Sequence, residues 1–295
     1  MPHIEVRPAQ AEDHDTVLKF CSNTWEWGDY IERVWDDWLH NPDGRLFVAT
    51  VDDRPVGISH MRMLSSTEAW IEGLRVDPEY RRMGLARALD EAALVEGMRR
   101  GATLARLMTE SRNARSIEII ERGHMRRVGA FAFYTAPPLT ISSEKRPVQE
   151  KTQLATLDDL DEIIDYLNVS NVFPAVGGLY YASYTAYSIT AELLEARIAD
   201  QSVYLLRRWD RLDGLAIAEL RGGGAGKYLS LGYIDGTAIE AISLIAYDLR
   251  RRLSELGVEA VRAYVPDLVL VRDVLSGIEY EWDGSVFYTY EQSLV

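Results

Sequence analysis

Trp70-Ile71-Glu72-Gly73-Leu74-Arg75-Val76-Asp77-Pro78-Glu79-Tyr80-Arg81-Arg82-Met83-Gly84-Leu85-Ala86-Arg87-Ala88-Leu89 is the stretch on which the fold turns. Ala69 to Val76 reads as a strand and Asp77-Pro78 as a turn. Arg87 to Arg99 reads as an amphipathic helix, apolar at Ala88, Leu89, Ala92, Leu94, Val95 and Met98, with Gly101 as its stop. A strand that passes through a glycine-containing loop into a helix leaves the first helical N–H groups unpaired. The positive end of the helix dipole is open as well, and both features suit a phosphate. Gly84 lets the backbone approach a ligand closely, and the small Ala86 keeps that approach clear. Arg81 and Arg82 add positive charge for a pyrophosphate or ribose phosphate.

Moving outward, Ile4 to Pro8 is an expected strand and Ala11 to Phe20 a helix with Glu12 and Asp13 in its first turn. Trp25 to Leu39 reads as a second helix rich in aromatics. Leu46 to Val51 and Val56 to Met63 form a hairpin turned by Asp52-Asp53-Arg54-Pro55. Thr103 to Met108 is a strand, Ala114 to Ile120 a helix and Arg127 to Thr135 a strand. The proline- and serine-containing segment that follows reads as a linker, placed at 138–151. Beyond it the pattern restarts. Ala155 to Asp161 echoes Ala9 to Asp15, Gly214 echoes Gly57, and Gly277 to Glu281 echoes Gly123 to Arg127. Roughly equal offsets point to a divergent internal duplication, with chance similarity as the competing explanation. The expected domains are therefore 1–137 and 152–295.

The chain has 295 residues, a length that suits two domains, with 47% hydrophobic and 26% charged residues, as in folded soluble proteins. No stretch is long and apolar enough for a membrane helix, and the first residues lack the features of a secretory signal. The single cysteine, Cys21, fits a reducing compartment, so a cytoplasmic location is expected. The net charge of −14 disfavours nucleic acid and anionic membrane surfaces as partners. Arg75 to Arg127 is nevertheless locally basic, with more arginines than acids. That suggests a small anionic ligand there, although solvated helix faces account for most of those arginines.

Arg81-x-x-Gly84-x-Ala86, behind a strand ending Leu74-Arg75-Val76-Asp77-Pro78, resembles the acyl-CoA motif of the GNAT N-acetyltransferase superfamily. The resemblance covers about residues 4–135. It implies an α/β (α+β) GNAT fold, a mixed central sheet flanked by helices, here followed by a second, degenerate GNAT-like domain. It implies acetyl-CoA as cosubstrate and no metal. Backbone amides near Leu74 and Val76 would pair with the pantetheine arm, and those of Arg82, Met83, Gly84, Leu85, Ala86 and Arg87 would cradle the pyrophosphate beside Arg81. Asn113 and Ser116 match the start of the superfamily's next motif. Its usual tyrosine, the acid for the leaving thiolate, is replaced by Ile120, and its Gly-Phe turn reads Gly123-His124. His124, Tyr134 or water could supply the proton.

A closer resemblance is to the histidine N-acetyltransferase-like branch. It rests on Gly28-Asp29-Tyr30-Ile31, Trp38-Leu39, Pro42-Asp43 and Glu72-Gly73-Leu74-Arg75-Val76, with Lys227 to Leu231 and Asp235 in the second half. The expected acceptor is a small primary amine such as a free amino acid. It would be held by Trp27, Asp29, Tyr30 and Glu72, with Glu26 also placed to attract a cation. An ammonium must lose a proton before it attacks, and Glu72 is the expected base. An ion pair with a nearby arginine is the alternative reading of Glu72. A backbone N–H near Val76 would stabilise the oxyanion. Two other functions fit the same motifs, a non-catalytic acyl-CoA sensor and a protein N-terminal or lysine acetyltransferase. Gly222 to Lys227 imitates a phosphate loop but lacks its first glycine and its Ser/Thr, so a hairpin turn is expected. The five histidines show no metal-ligand spacing.

Overall fold

The computed structural model describes residues 2–22, 24, 28–139, 151–223 and 226–295. The chain begins with β1 (Ile4–Pro8), α1 (His14–Cys21), α2 (Ile31–Leu39), β2 (Gly44–Val51), β3 (Arg54–Met63), β4 (Glu68–Val76) and α3 (Leu85–Arg99). Then come β5 (Leu104–Glu110), α4 (Ala114–Arg122) and β6 (Arg126–Ala136). Strands β1 to β4 are antiparallel neighbours in sequence order, and β5 joins β4 in parallel. The β2–β3 turn carries Asp52 and Asp53 at φ 48° and 67°. Two positive φ values match a tight hairpin to the twist of its strands, and Asp tolerates them.

Alternation along β2 sorts the core. Leu46 and Val48 pack with Val17, Cys21, Ile31, Trp35 and Trp38 of α1 and α2. Phe47, Ala49 and Val51 face the other way, onto Leu85 and Leu89 of α3. Cys21 is buried, and burial pushes its thiol up to about 12, which makes it an inert packing residue. Helix α2 starts only at Ile31, later than its aromatic run suggested. Gly28 sits at φ 98°, outside any right-handed helix, and Trp25, Glu26 and Trp27 lie outside the described residues.

The order then recurs, with a short helix and a two-stranded hairpin inserted between two helices. The second half runs β7 (Gln153–Leu154), α5 (Leu160–Val169), α6 (Val172–Ala175), β8 (Leu179–Ala182), β9 (Thr185–Ser188), α7 (Ala191–Ala199) and β10 (Val203–Arg208). It continues with β11 (Arg211–Gly223), β12 (Gly226–Gly236), α8 (Ile239–Leu256), β13 (Val261–Pro266), α9 (Val269–Gly277) and β14 (Glu281–Ser293). Two of the three sequence echoes have structural counterparts. Gln10 with Asp13, and Thr156 with Asp159, form equivalent capping boxes ahead of α1 and α5. A Cβ on Gly57 would meet the Arg75 carbonyl and Leu89 of α3; one on Gly214 would meet the Asp235 carbonyl and Ile245 of α8. The Gly222 to Lys227 segment is the β11–β12 hairpin, with Gly222 opposite Lys227; Gly224 and Ala225 lie outside the described residues.

Two compact units emerge, 1–107 with 119–126 and 290–295, and 108–118 with 127–289. These bounds differ from 1–137 and 152–295. Strand β6 groups with the second unit because it pairs with β13, from Phe131 opposite Pro266 to Ala136 opposite Val261. The last residues group with the first because the Leu294 N–H donates to Thr103 and Glu291 accepts from Arg106. Most of the expected linker, residues 140–150, is outside the described residues. In the second unit α8 and α9 bury Ala241, Ile242, Ile245, Leu249, Val271 and Leu275 against β6, β11, β12 and β13.

Candidate active site

Strand β4 organises the site. Among the described residues its parallel ladder with β5 covers only Glu68, Ala69 and Trp70, against Leu104, Ala105 and Arg106. From Ile71 to Val76 that edge of β4 has no strand ladder, and Leu74 and Val76 lie on this stretch. On its other edge β4 pairs with β3, His60 opposite Glu72 and Ile58 opposite Arg75, with a register shift between. Gly73 and Leu74 thus oppose Ser59 alone, and Gly73 takes φ 72°. This is a β-bulge with glycine at its left-handed position. A Cβ on Gly73 would sit 2.5 Å from the Trp38 ring, so the glycine is also what lets Trp38 lie on the strand.

Trp38 stacks on His60, ring centroids 4.5 Å apart and nearly parallel, and Tyr30 meets Trp38 edge-on at 6.1 Å. His60 is fully buried, and its Nδ1 donates to Glu72 Oε1 at 3.0 Å, which leaves Nε2 without a partner among the described residues. Arg62 Nε donates to the same oxygen at 3.1 Å. Glu72 keeps 22% of its side chain exposed. The arginine pair weighed for Glu72 therefore exists, yet it grips one carboxylate oxygen and leaves the group reachable. Neither His60 nor Arg62 stood out in the sequence. The signal was their place on the strand that pairs with β4, readable only with the register.

Asp29 is placed differently from the expected ammonium anchor. Arg75 Nε and Nη2 donate to its two oxygens at 2.8 and 3.2 Å, and only 4% of its side chain is exposed. Burial alone would raise its carboxyl, but the bonds and charge of Arg75 outweigh burial and hold it below the usual range. Asp29 therefore fixes Arg75, whose guanidinium lies 5.3 Å over the Tyr30 ring. Tyr30 remains on the aromatic wall. Trp27 and Glu26 fall outside the described residues.

The loop after β4 is built by local bonds. Buried Asp77 accepts from the Glu79 N–H at 3.0 Å and caps the turn Pro78–Tyr80. Arg82 and Gly84 then adopt φ 67° and 83°, and α3 begins at Leu85. The first helical bond runs from the Ala88 N–H to the Gly84 carbonyl, so the amides of Leu85, Ala86 and Arg87 have no intrahelical acceptor. A Cβ on Gly84 would meet nothing within 4 Å, so the backbone borders open space. Arg81 and Arg82 are exposed and have no carboxylate partner among the described residues. Met83 is half-buried. Arg87 spends its guanidinium on Glu91 at 2.7 Å, so only its amide faces the loop. Unpaired amides, two free arginines and open space beside Gly84 fit a pyrophosphate.

One turn further, burial and then Glu91 raise the Asp90 carboxyl to about 7, and its Oδ1 has no partner among the described residues. Asn113 belongs to the second unit and caps α4, its Oδ1 accepting from the Ser116 N–H at 3.2 Å. Tyr134, weighed as a proton donor, is 1% exposed in the core of that unit, and burial raises its hydroxyl. It cannot serve. His124 is exposed in the turn after α4. No cluster of three or more metal-ligating side chains occurs among the described residues.

A mixed sheet opened between two parallel strands, with a loop and a helix N-terminus beside the opening, defines the fold of the CoA-dependent acetyltransferases. Residues 13–124 match the family model described as Acetyltransferase (GNAT) family, so the chain carries a GNAT acetyltransferase domain. Members of that family draw their acetyl group from acetyl-CoA. Solved structures share the fold along nearly the whole chain. A GCN5-related N-acetyltransferase from Sphaerobacter thermophilus is 12% identical, covering 99% of this chain and 96% of its own, with a TM-score of 0.63. A tandem GNAT protein from the clavulanic acid biosynthesis pathway is 14% identical, with 99% of each chain covered and a TM-score of 0.55. A Thermoplasma acidophilum protein provisionally assigned as an acetyltransferase is 18% identical, with 98% and 99% covered and a TM-score of 0.58. No curated protein matches the chain significantly. No helix among the described residues is long and apolar enough to cross a membrane.

Proposed function

We propose that the chain transfers an acetyl group from acetyl-CoA to a small primary amine, such as a free amino acid, by direct attack in a ternary complex. The observation that carries this reading is the Gly73 bulge. It sets reachable Glu72, on the strand that leads into the Arg81–Gly84 loop, beside the aromatic wall of Tyr30, Trp38 and the cross-strand His60, which supports this reading. Acetyl-CoA, when bound, supplies an activated thioester. Its pyrophosphate would be held by the amides from Arg82 to Arg87 and by Arg81, and its pantetheine arm by the backbone near Leu74 and Val76. Glu72 takes the proton of the incoming ammonium, directly or through a water. His60 and Arg62 hold its other oxygen and fix its direction. A backbone N–H near Val76 donates to the carbonyl oxygen as charge develops on it. No covalent intermediate on the protein is needed. The catalytic domain is the N-terminal half, and the C-terminal half is a degenerate repeat.

Ile120, at the position where the superfamily's tyrosine is expected, favours a second reading, an acyl-CoA sensor without turnover. A panel of amines, free amino acids and peptides, screened for release of the CoA thiol, separates the two. Release with small amines supports the proposal, release only with peptides supports a protein acetyltransferase, and CoA binding without release supports a sensor.

A further inference from the structure

The second unit contains a groove of about 500 Å3, inside the size range of small-molecule sites. Strand alternation creates it. Ala132, Tyr134 and Ala136 of β6, with Val261, Ala263 and Val265 of β13, point into the core under α8 and α9. Phe133, Arg262 and Tyr264 therefore face the other way. Phe133 and Tyr264 are cross-strand partners with ring centroids 4.8 Å apart. From β12, Tyr228 contributes a ring that lies 4.2 Å from the Arg262 guanidinium carbon. Over this floor the β8–β9 hairpin holds Tyr184, which is 59% exposed yet in edge contact with Tyr264 and Phe287 at 5.5 and 5.9 Å. Ser183, at φ 57°, makes the tight turn that brings it there.

Arg262 differs from most arginines of this half, and from the exposed Arg211 in being half-buried. Arg250, Arg251, Arg252 and Arg272 each have a carboxylate partner. Arg262 has none among the described residues, although the chain carries a net charge of −14. A half-buried guanidinium at the wall of an aromatic groove matches one kind of ligand. The rings accept a flat apolar body, and the fork of N–H donors accepts a carboxylate.

We propose that the second unit binds a planar aromatic carboxylate, its ring against Phe133 and Tyr184 and its carboxylate on Arg262. Isothermal titration of the full chain with phenylacetate, phenylacetamide and 2-phenylethylamine tests this without CoA present, so its outcome is independent of the catalytic proposal. Phenylacetate should saturate one site and bind about 10- to 100-fold more tightly than phenylacetamide, the worth of one charged hydrogen-bonded pair. Arg262→Gln should erase that preference, and Tyr184→Ala should weaken both ligands alike. Should Arg262→Gln not fold, Arg262→Lys must keep the preference at reduced affinity. No saturable phenylacetate binding, equal binding of phenylacetamide, tighter binding of 2-phenylethylamine, or a preference that survives in Arg262→Gln would each overturn the assignment.

Discussion

Replacing Gly73 with alanine tests the bulge that positions the whole site. Two costs add. An L-residue at φ 72° is strained by about 1–2 kcal/mol. The new methyl also falls 2.5 Å from two carbons of the Trp38 ring. Trp38 has little room to yield, being 8% exposed and stacked on His60, so overpacking adds about 1–3 kcal/mol. The expected loss is about 2–5 kcal/mol. Gly84→Ala is the internal control. Its φ of 83° carries the same backbone strain, but its Cβ meets nothing, so only about 1–2 kcal/mol should be lost. Urea unfolding followed by tryptophan fluorescence compares the two variants on one scale. Equal small losses would refute the packing of Trp38 on β4, and with it the placement of His60 and Glu72.

The remaining predictions concern chemistry and charge. Glu72→Gln should lower kcat by about 10²–10⁴ near neutral pH with CoA affinity unchanged, and the loss should shrink at high pH where more amine is already deprotonated; wild-type kcat at pH 7 would remove Glu72 from the mechanism. Gly84→Asp should abolish CoA binding and Arg81→Ala should weaken it by about 1–3 kcal/mol, both read by calorimetry; unchanged affinity in Gly84→Asp would move the pyrophosphate elsewhere. Wild-type calorimetry should give one CoA per chain, and two equivalent sites would contradict the degenerate reading of the second half. Asp90 is about 7 in the fold and near 4 when unfolded, so the native state holds a proton that the unfolded chain has released. Its stability contribution is full below pH 4 and is lost as pH rises through 7, at a limiting slope of about 1.4 kcal/mol per pH unit. Asp90→Asn should flatten the fall in melting temperature between those values, and an unchanged profile would show that Asp90 does not titrate there.

What the sequence disclosed was local. The β4–loop–α3 order and the Asp52-Asp53 turn depend on residues a few positions apart, where period and turn chemistry are informative. What it concealed was long-range pairing. The grip of His60 and Arg62 on Glu72 depends on a register that the Gly73 bulge shifts. Asp29 read as an anchor for the amine because its partner, Arg75, lies 46 residues away. The β8–β9 hairpin is short enough that its alternating pattern carries little signal.

The second half, proposed above as a degenerate repeat, differs from the first where strand passes into helix. Strand β12 opens away from β13 after Leu231, as β4 does from β5 after Trp70. In the first half Asp77 to Gly84 separate strand from helix, enough chain for a capped turn, two left-handed residues and a ring of unpaired amides. In the second half only Thr237 and Ala238 separate β12 from α8, which leaves no chain to form a cradle. The opened strand carries Asp235, 2% exposed, where Ser170 and Tyr233 donate to its Oδ2 at 2.5 and 2.8 Å. Burial works to raise this carboxyl, those donors oppose it, and burial prevails. A polar cluster thus occupies the end of the second opened strand. Restoring a phosphate site there would require both inserting a loop and removing Asp235, and removing Asp235 alone would leave Ser170 and Tyr233 without their acceptor.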